Sequence, residues 1–230
     1  KVLIVGANGV VGFAAMKHFA KAPNPEVIAI SRKPPSEAFG ATFYSVDLLD
    51  SYKCKNILGQ LRGITHIVYC AVYEKNNLRD GWLDEDQIAK NDRMLRNLLE
   101  NINEAENPLQ HITLLQGTKA YGAHVGEMRI PAREGISERR DIPNFYWEQE
   151  AYIKEKQKES SWYFTILRPR IIFGEATGSA MNIIPAIGVY ASVLKELGEP
   201  LHFPGTQKSV MMQAVDADLL AKGIEWAGES

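Results

Sequence analysis

Val2-Leu3-Ile4-Val5-Gly6-Ala7-Asn8-Gly9-Val10-Val11-Gly12 is the stretch that decides the fold. Its first four residues are apolar on consecutive positions, as a strand covered on both faces must be. Three glycines follow, and a segment with helical apolar spacing, Val11–Ala20, begins at once. Glycines at such a strand-to-helix step allow a tight bend, let the backbone approach a pyrophosphate and let the helix pack on the strand, while the helix start offers N–H donors. With a strand before it and a helix after it, the turn reads as a dinucleotide-phosphate cradle made by Gly6, Asn8, Gly9, Val10, Val11 and Gly12.

Outward from this turn, short β-branched or aromatic runs alternate with longer stretches of period-3.6 apolar residues, the pattern of βαβ units and a parallel sheet. Strands are expected at Val2–Val5, Val27–Ser31, Phe43–Val46, His66–Cys70, His111–Leu115 and Trp162–Leu167. Helices are expected at Val11–Ala20, Tyr52–Leu61, Ile88–Ile102 and Tyr146–Lys158. The fold class is therefore α/β, a Rossmann-like doubly wound parallel sheet. From Gly174 the pattern changes to an apolar helix at Met181–Leu194, a short strand at Leu201–Phe203 and a helix from Asp216, punctuated by Pro185, Pro200 and Pro204. Residues 1–173 are read as the nucleotide domain. Residues 174–230 are read as the start of a small, incomplete substrate lobe intertwined with it, in a trimmed chain, since Lys1 stands directly before a strand with no initiator Met.

Composition narrows the function classes. A 230-residue chain with a formal charge of -2 has no overall basic field for a polyanion, so nucleic acid is not an expected partner. Cys54 and Cys70 suggest neither a disulfide framework nor a zinc site, and the five histidines show no metal spacing, so no metal is expected and a reducing cytoplasm is. The longest apolar stretch, Ile183–Leu194, falls short of the roughly 20 residues that cross a bilayer, so no membrane association is expected.

At the end of the second strand, where an NAD-binding protein carries a carboxylate for the ribose hydroxyls, this chain has Ser31-Arg32-Lys33. Two cations and a hydroxyl in place of an acid favour a 2′-phosphate, hence NADPH. Asp47, followed by Leu48, stands after the third strand where it can accept from an adenine amino group or simply close a turn.

The GxxGxxG spacing resembles that of the extended short-chain dehydrogenase/reductase superfamily, whose ordinary members use a Tyr and a Lys in YxxxK. Tyr152 and Lys156 have that spacing, but only 16 residues separate Tyr152 from Arg168 on the next strand. Tyr146, 22 residues before Arg168, suits the superfamily helix-plus-turn better. Its fourth-following residue is Glu150, which cannot supply the cation a tyrosinate needs. The run Gln116-Gly117-Thr118-Lys119-Ala120-Tyr121-Gly122, with Asn144-Phe145-Tyr146-Trp147, resembles the progesterone 5-beta-reductase/iridoid synthase family, in which the Lys follows the fifth strand and the Tyr lies in NFYY. The likeness continues through Leu167-Arg168-Pro169, Ile172-Phe173-Gly174, Ser179-Ala180-Met181-Asn182, Phe203-Pro204-Gly205 and Asp216-Ala217-Asp218-Leu219. Trp147 in place of the second Tyr, Arg170 after Pro169, and Ser209-Val210-Met211-Met212 without a Trp depart from it.

That resemblance implies an NADPH-dependent enone or enal reductase. Hydride reaches the β-carbon, and Tyr146 with Lys119 stabilises the enolate oxygen. It also implies cofactor contacts at Ala71, Gln116, Tyr146, Pro169 and Ile172, and substrate contacts at Met181, Asn182 and Met212; Asn91, on the long helix, matches a superfamily position that supports the active site, or equally faces solvent. The expected partner is a small apolar carbonyl compound, with a homodimer left open. Two alternatives stay open: a sugar-nucleotide epimerase/dehydratase or carbonyl reductase working through Tyr152 and Lys156, and a non-catalytic NADP-sensing protein.

Overall fold

Strands that are apolar at every position need a helical layer on each face. The structure is a computed structural model that describes residues 1–23, 26–75, 81–176, 182–205 and 212–229. Strands β1 (Val2–Val5), β2 (Val27–Ser31), β3 (Thr42–Ser45), β4 (His66–Tyr69), β5 (His111–Leu115) and β6 (Tyr163–Leu167) form one parallel sheet in the order β3-β2-β1-β4-β5-β6. The helices are α1 (Val10–Phe19), α2 (Ser51–Leu58), α3 (Glu85–Leu99), α4 (Phe145–Gln157), α5 (Ile183–Glu196) and α6 (Ala217–Glu229), with short 3-10 turns at Gly81–Leu83 and Thr118–Tyr121. Leu3, Val5, Ile28, Ile30, Ile67, Tyr69, Ile112 and Leu114 pack with Leu58 of α2, Leu95 and Leu98 of α3 and Ile153 of α4. Ile4, Val27, Ala29 and Val68 pack on the other face with Phe13 and Met16 of α1 and Leu220 and Ile224 of α6.

The chain builds outward from β1 to β3 and then returns to β4 on the other side of β1. Connections therefore leave β1 and β4 in opposite directions, and a crevice opens at the carboxyl ends of these two strands, which is where open α/β sheets bind ligands. Side-chain caps fix the helices that border it. Asp84 accepts from the Gln87 amide at the start of α3, and Asn144 accepts from the Tyr146 amide at the start of α4.

Beyond Gly174 the sequence reading needs correction. Leu201–Phe203 is not a strand: prolines at 200 and 204 remove donors on both sides, and Phe203 is 86% exposed. A small parallel sheet instead pairs β7 (Ile171–Phe173) with β8 (Ala214–Asp216), two three-residue strands too short to show a period. The final helix packs on the nucleotide layer. In α6, Leu220 and Ile224 join α1 in the core, His18 pairs with Glu225 at 2.8 Å and Lys17 with Asp218 at 3.2 Å. Both cysteines are free, and burial with nearby Asp50 and Asp47 pushes the Cys54 thiol up to about 11. No helix among the described residues is long and apolar enough to cross a membrane.

His66 and His111 sit in register at the starts of β4 and β5, ring centroids 6.4 Å apart. His66 Nε2 lies 3.3 Å from the Gly228 carbonyl at the end of α6, and His111 Nε2 3.0 Å from Thr165 Oγ1. Burial, then the neighbouring His66, lowers His111 from 6.5 to about 4. The folded state therefore refuses a proton that the unfolded chain accepts, so this contribution to stability is intact above the ordinary histidine range and is lost as pH falls from 6.5 towards 4. Stability followed by urea unfolding is expected to drop in that window by up to about 1.4 kcal/mol per pH unit, and His111→Gln is expected to flatten the slope. An unchanged slope in the variant would reject this origin.

Candidate active site

The phosphate turn is dictated by close approach. Gly6 adopts φ +87°, and a Cβ there would stand 2.8 Å from the Ala71 nitrogen and 2.9 Å from the Cys70 carbonyl carbon. Only glycine lets β1 turn this tightly against the end of β4. A Cβ on Gly12 would strike the Gly6 carbonyl, so α1 can start against the turn only with glycine at that position. Gly9 differs: its Cβ would meet only the Gly6 carbonyl oxygen, at 3.4 Å, so the chain itself tolerates a side chain there. Glycine at that point keeps the entry to α1 open. The helix start has no side-chain cap and no acidic residue in its first turn, leaving its N–H donors to a phosphate. These features fit a pyrophosphate. Val10 and Val11 offer it backbone only, since their side chains are buried in the core.

At the end of β2, Ser31 Oγ donates to the Lys33 carbonyl at 2.6 Å, and Ser45 Oγ from β3 donates to the Arg32 carbonyl at 3.0 Å. The turn is thus braced through its backbone while the Arg32 and Lys33 side chains stay exposed, without an ion pair among the described residues. Asp47 Oδ1 accepts from the Leu49 amide at 3.0 Å, a turn-closing bond. Leu48 is a core side chain whose carbonyl accepts from Asn97 Nδ2 at 2.6 Å, so its offer to a ligand is confined to its amide.

The Lys and Tyr singled out in the sequence come together at the carboxyl ends of β5 and β6. Tyr146, 6% exposed, opens α4, and its Oη lies 3.4 Å from where a Cβ on Gly117 would be, with the Pro169 carbonyl equally close to that point. Lys119 sits in the 3-10 turn after β5, its Nζ 3.8 Å from the centroid of the Trp82 ring. Trp82 in turn packs edge-on against Tyr146, centroids 5.5 Å apart. Asn144 ties the two backbones: its side chain accepts from the Tyr146 amide at 3.1 Å and donates to the Lys119 carbonyl at 3.3 Å. Burial lowers Lys119, an effect that the charge of Glu74 opposes. Burial, with Glu74 adding to it and Arg168 opposing it, raises Tyr146, so the phenol stays a proton donor.

Glu150, one turn beyond Tyr146, is 2% exposed and bound to Arg168 and, at 2.7 Å, to Arg140. Glu138 accepts from Arg168 at 2.7 Å, and Arg168 Nε donates to Gln116 Oε1 at 2.9 Å, while Gln116 Nε2 reaches the Tyr146 carbonyl at 3.3 Å. The carboxylate standing where ordinary members carry Lys therefore belongs to a buried ion network behind Tyr146. Tyr152 lies elsewhere. Its ring packs against Arg96 at 4.2 Å, and its Oη is 3.5 Å from Glu100, the residue that ends α3. Because α3 starts at the carboxyl end of the sheet and runs back, its last turn is at the opposite end from the crevice.

A model of the NAD dependent epimerase/dehydratase family matches residues 2–209. The chain belongs to that family. Among curated relatives it is 34% identical over 218 residues to an uncharacterized protein of Schizosaccharomyces pombe, covering 90% of this chain and 52% of the relative. It is 32% identical over 240 residues to (S)-8-oxocitronellyl enol synthase ISY1 of Nepeta racemosa, covering 98% of this chain and 60% of that protein. With 3-oxo-Delta(4,5)-steroid 5-beta-reductase of Arabidopsis thaliana the identity is 30% over 239 residues, with coverage of 98% and 60%. The chain thus spans between half and three fifths of these relatives' length. The resemblance read from Lys119 and the Asn144-Phe145-Tyr146 run agrees with the latter two names. Among solved structures, the NAD complex of Thermus thermophilus UDP-glucose 4-epimerase matches with TM-score 0.73 and 20% identity, covering 100% of this chain and 74% of that one. That likeness shows the shared fold.

In this member of the NAD dependent epimerase/dehydratase family, Ala71 sits against Gly6 at the crevice, and Ile172 packs beside Val10 and Ala14. Asn182 is occupied at both ends, capping α5 through the Ile184 amide at 3.2 Å and donating to the Gly174 carbonyl at 2.8 Å. Met212 is exposed beside Arg170, and Met181 lies outside the described residues. Asn91 is fully buried. It grips the Tyr73 backbone through bonds of 2.8 Å to both its amide and its carbonyl, while Gln87, one turn earlier, accepts from the Lys75 amide at 2.9 Å. These two amides hold the segment that leaves β4. Sequence reasoning missed three contributors: Asn144, findable as an Asn directly before a helix, and Trp82 and Glu74, which carry no periodic signal.

Proposed function

We propose that this chain forms the cofactor-binding and catalytic part of an NADPH-dependent enone or enal reductase adding hydride 1,4 to a carbon–carbon double bond. The observation that carries the reading is the pairing of Tyr146 and Lys119 around Trp82 at the carboxyl end of the sheet, while the Tyr152 hydroxyl contacts the far end of α3. The nicotinamide, when bound, supplies the hydride. The chain's own work is electrostatic. As the substrate carbonyl oxygen gains enolate charge, the Tyr146 hydroxyl donates a hydrogen bond to it, and the positive charge of the Lys119 ammonium stabilises it. Buried groups fixed by Asn144 and Gln116 need little reorganisation to do this. The relatives named as an enol synthase and a steroid 5-beta-reductase support the substrate class, a small apolar carbonyl compound. The two free cysteines support a reducing, cytoplasmic setting, and a homodimer is part of the proposal.

NADPH is assigned on the exposed Arg32 and Lys33 beyond β2. NADPH is expected to bind more tightly than NADH, and Arg32→Ala to narrow the gap by about 1–3 kcal/mol through loss of a charge-assisted bond. Equal calorimetric affinity of the native chain for both would overturn the assignment. Reaction class is tested by following NADPH consumption over linear and cyclic enones, nucleotide sugars and simple aldehydes. Turnover of enones alone is expected, and turnover of nucleotide sugars in their place would favour the epimerase reading.

A further inference from the structure

A lysine that acts as a cation in a buried place needs groups that keep it charged and aimed, and Lys119 is buried. No hydrogen bond joins Lys119 Nζ to Tyr146 Oη among the described residues. What Lys119 does have is the face of an indole, its Nζ 3.8 Å from the Trp82 centroid. That indole is 3% exposed and fixed on every side. Its Nε1 donates to Glu74 Oε1 at 3.0 Å, Phe145 packs on it at 4.8 Å between centroids, and Tyr146 meets it edge-on at 5.5 Å. A cation over a desolvated indole is attracted to the ring's negative face, and tryptophan is the strongest of the aromatic partners.

We propose that Trp82, anchored by Glu74, is a positioning residue: the platform that holds Lys119 as an ammonium ion at a fixed distance from Tyr146. The inference rests on the proposed role of Lys119 but concerns residues with no assigned part in it. Glu74 acts twice. Its hydrogen bond sets the plane of the indole, and its negative charge, in the segment leaving β4, favours the ammonium form that burial disfavours. The other titratable groups around Lys119 do not replace it. His124, on the loop after the 3-10 turn, has two buried ring nitrogens without partners among the described residues and is pushed down by burial and by Lys119 itself. On α4, the Tyr146 phenol stays neutral, and Arg168 behind it is committed to Glu138 and Glu150.

The test reads Lys119 directly. Lysines of the full chain are reductively methylated with 13C-formaldehyde, the Lys119 resonance is assigned by its loss in Lys119→Arg, and its titration midpoint is measured by NMR. Glu74→Gln and Trp82→Leu are each expected to lower that midpoint by about half to one pH unit, since each removes something that favours the cation. A merely structural role for either residue would change stability and leave the midpoint in place, and an unchanged or raised midpoint in either folded variant overturns the proposal. Should Trp82→Leu not fold, Glu74→Gln, at a half-buried position and nearly isosteric, decides alone. The alkaline limb of turnover separates the two readings. If it moves down together with the midpoint, Lys119 serves catalysis. If the midpoint falls and turnover is indifferent, the platform stands and the catalytic role of Lys119 fails.

Discussion

Tyr146→Phe is expected to depress enone turnover by roughly 10²–10³ while leaving fold and NADPH affinity in place. The substitution removes one hydroxyl from a ring that keeps its contacts with Trp82 and Phe145, so packing in this aromatic cluster survives. What disappears is the donor that strengthens as negative charge develops on the carbonyl oxygen, an interaction made in the transition state and not in substrate binding. The loss should therefore appear in turnover more than in KM. Lys119→Ala is expected to act in the same direction. Tyr152→Phe gives up only a 3.5 Å approach to Glu100 and should keep turnover within a few-fold. The decisive comparison is steady-state NADPH oxidation by Tyr146→Phe and Tyr152→Phe side by side. A dead Tyr152 variant beside an active Tyr146 variant would return the chain to the ordinary Tyr-x-x-x-Lys enzymes.

The contrast between these tyrosines also marks what the residues alone could tell. Strand positions were legible because continuous apolar runs such as Leu3 to Val5 and Ile67 to Tyr69 admit no reading but cover on both sides, and those residues are buried on both sides. The glycine turn was legible because tight bending and close packing leave glycine no substitute at positions 6 and 12. The two helices expected beyond Gly174 are present as α5 and α6, but the small sheet was not legible. β7 and β8 are three residues each and find each other across some 40 residues of chain, so neither carries a local signal. At the site, sequence spacing could propose Tyr146 and Lys119, but not what joins them. The Trp82 indole enters from the turn before α3, and Glu74 from the segment after β4, through contacts that exist only in three dimensions. Asn182, read from the resemblance as a substrate contact, also caps α5, a role that its place directly before that helix could have shown.

The Glu150 network carries the largest stability prediction. Arg168→Met removes the cation that both Glu138 and Glu150 face, and Glu150 is 2% exposed. Burial pushes both carboxyls up, and the bonds and charges of Arg168 and Arg140 more than offset it, holding each below the ordinary glutamate range. With Arg168 gone, two half-paired carboxylates remain in a poorly solvated place, a situation that costs about 3–5 kcal/mol. For a chain of this size that is a fall in Tm of roughly 6–20 °C. The cost lies in the orphaned charges and not in any great net strength of the native pairs. Arg168→Met combined with Glu138→Leu and Glu150→Leu is therefore expected to recover most of the loss, because it removes the charges together with their desolvation. Differential scanning calorimetry of the single and triple variants decides it, and a single variant within about 1 kcal/mol of the parent would mean that water already reaches these carboxylates. The same network leads us to expect that restoring the ordinary Tyr-x-x-x-Lys spacing will not rescue Lys119→Ala. Glu150→Lys would set a further cation beside Arg140, Arg168 and Lys154, with only Glu138 left as the network's carboxylate. The variant should lose stability as a like-charge cluster does, before any ammonium could turn towards the Tyr146 hydroxyl.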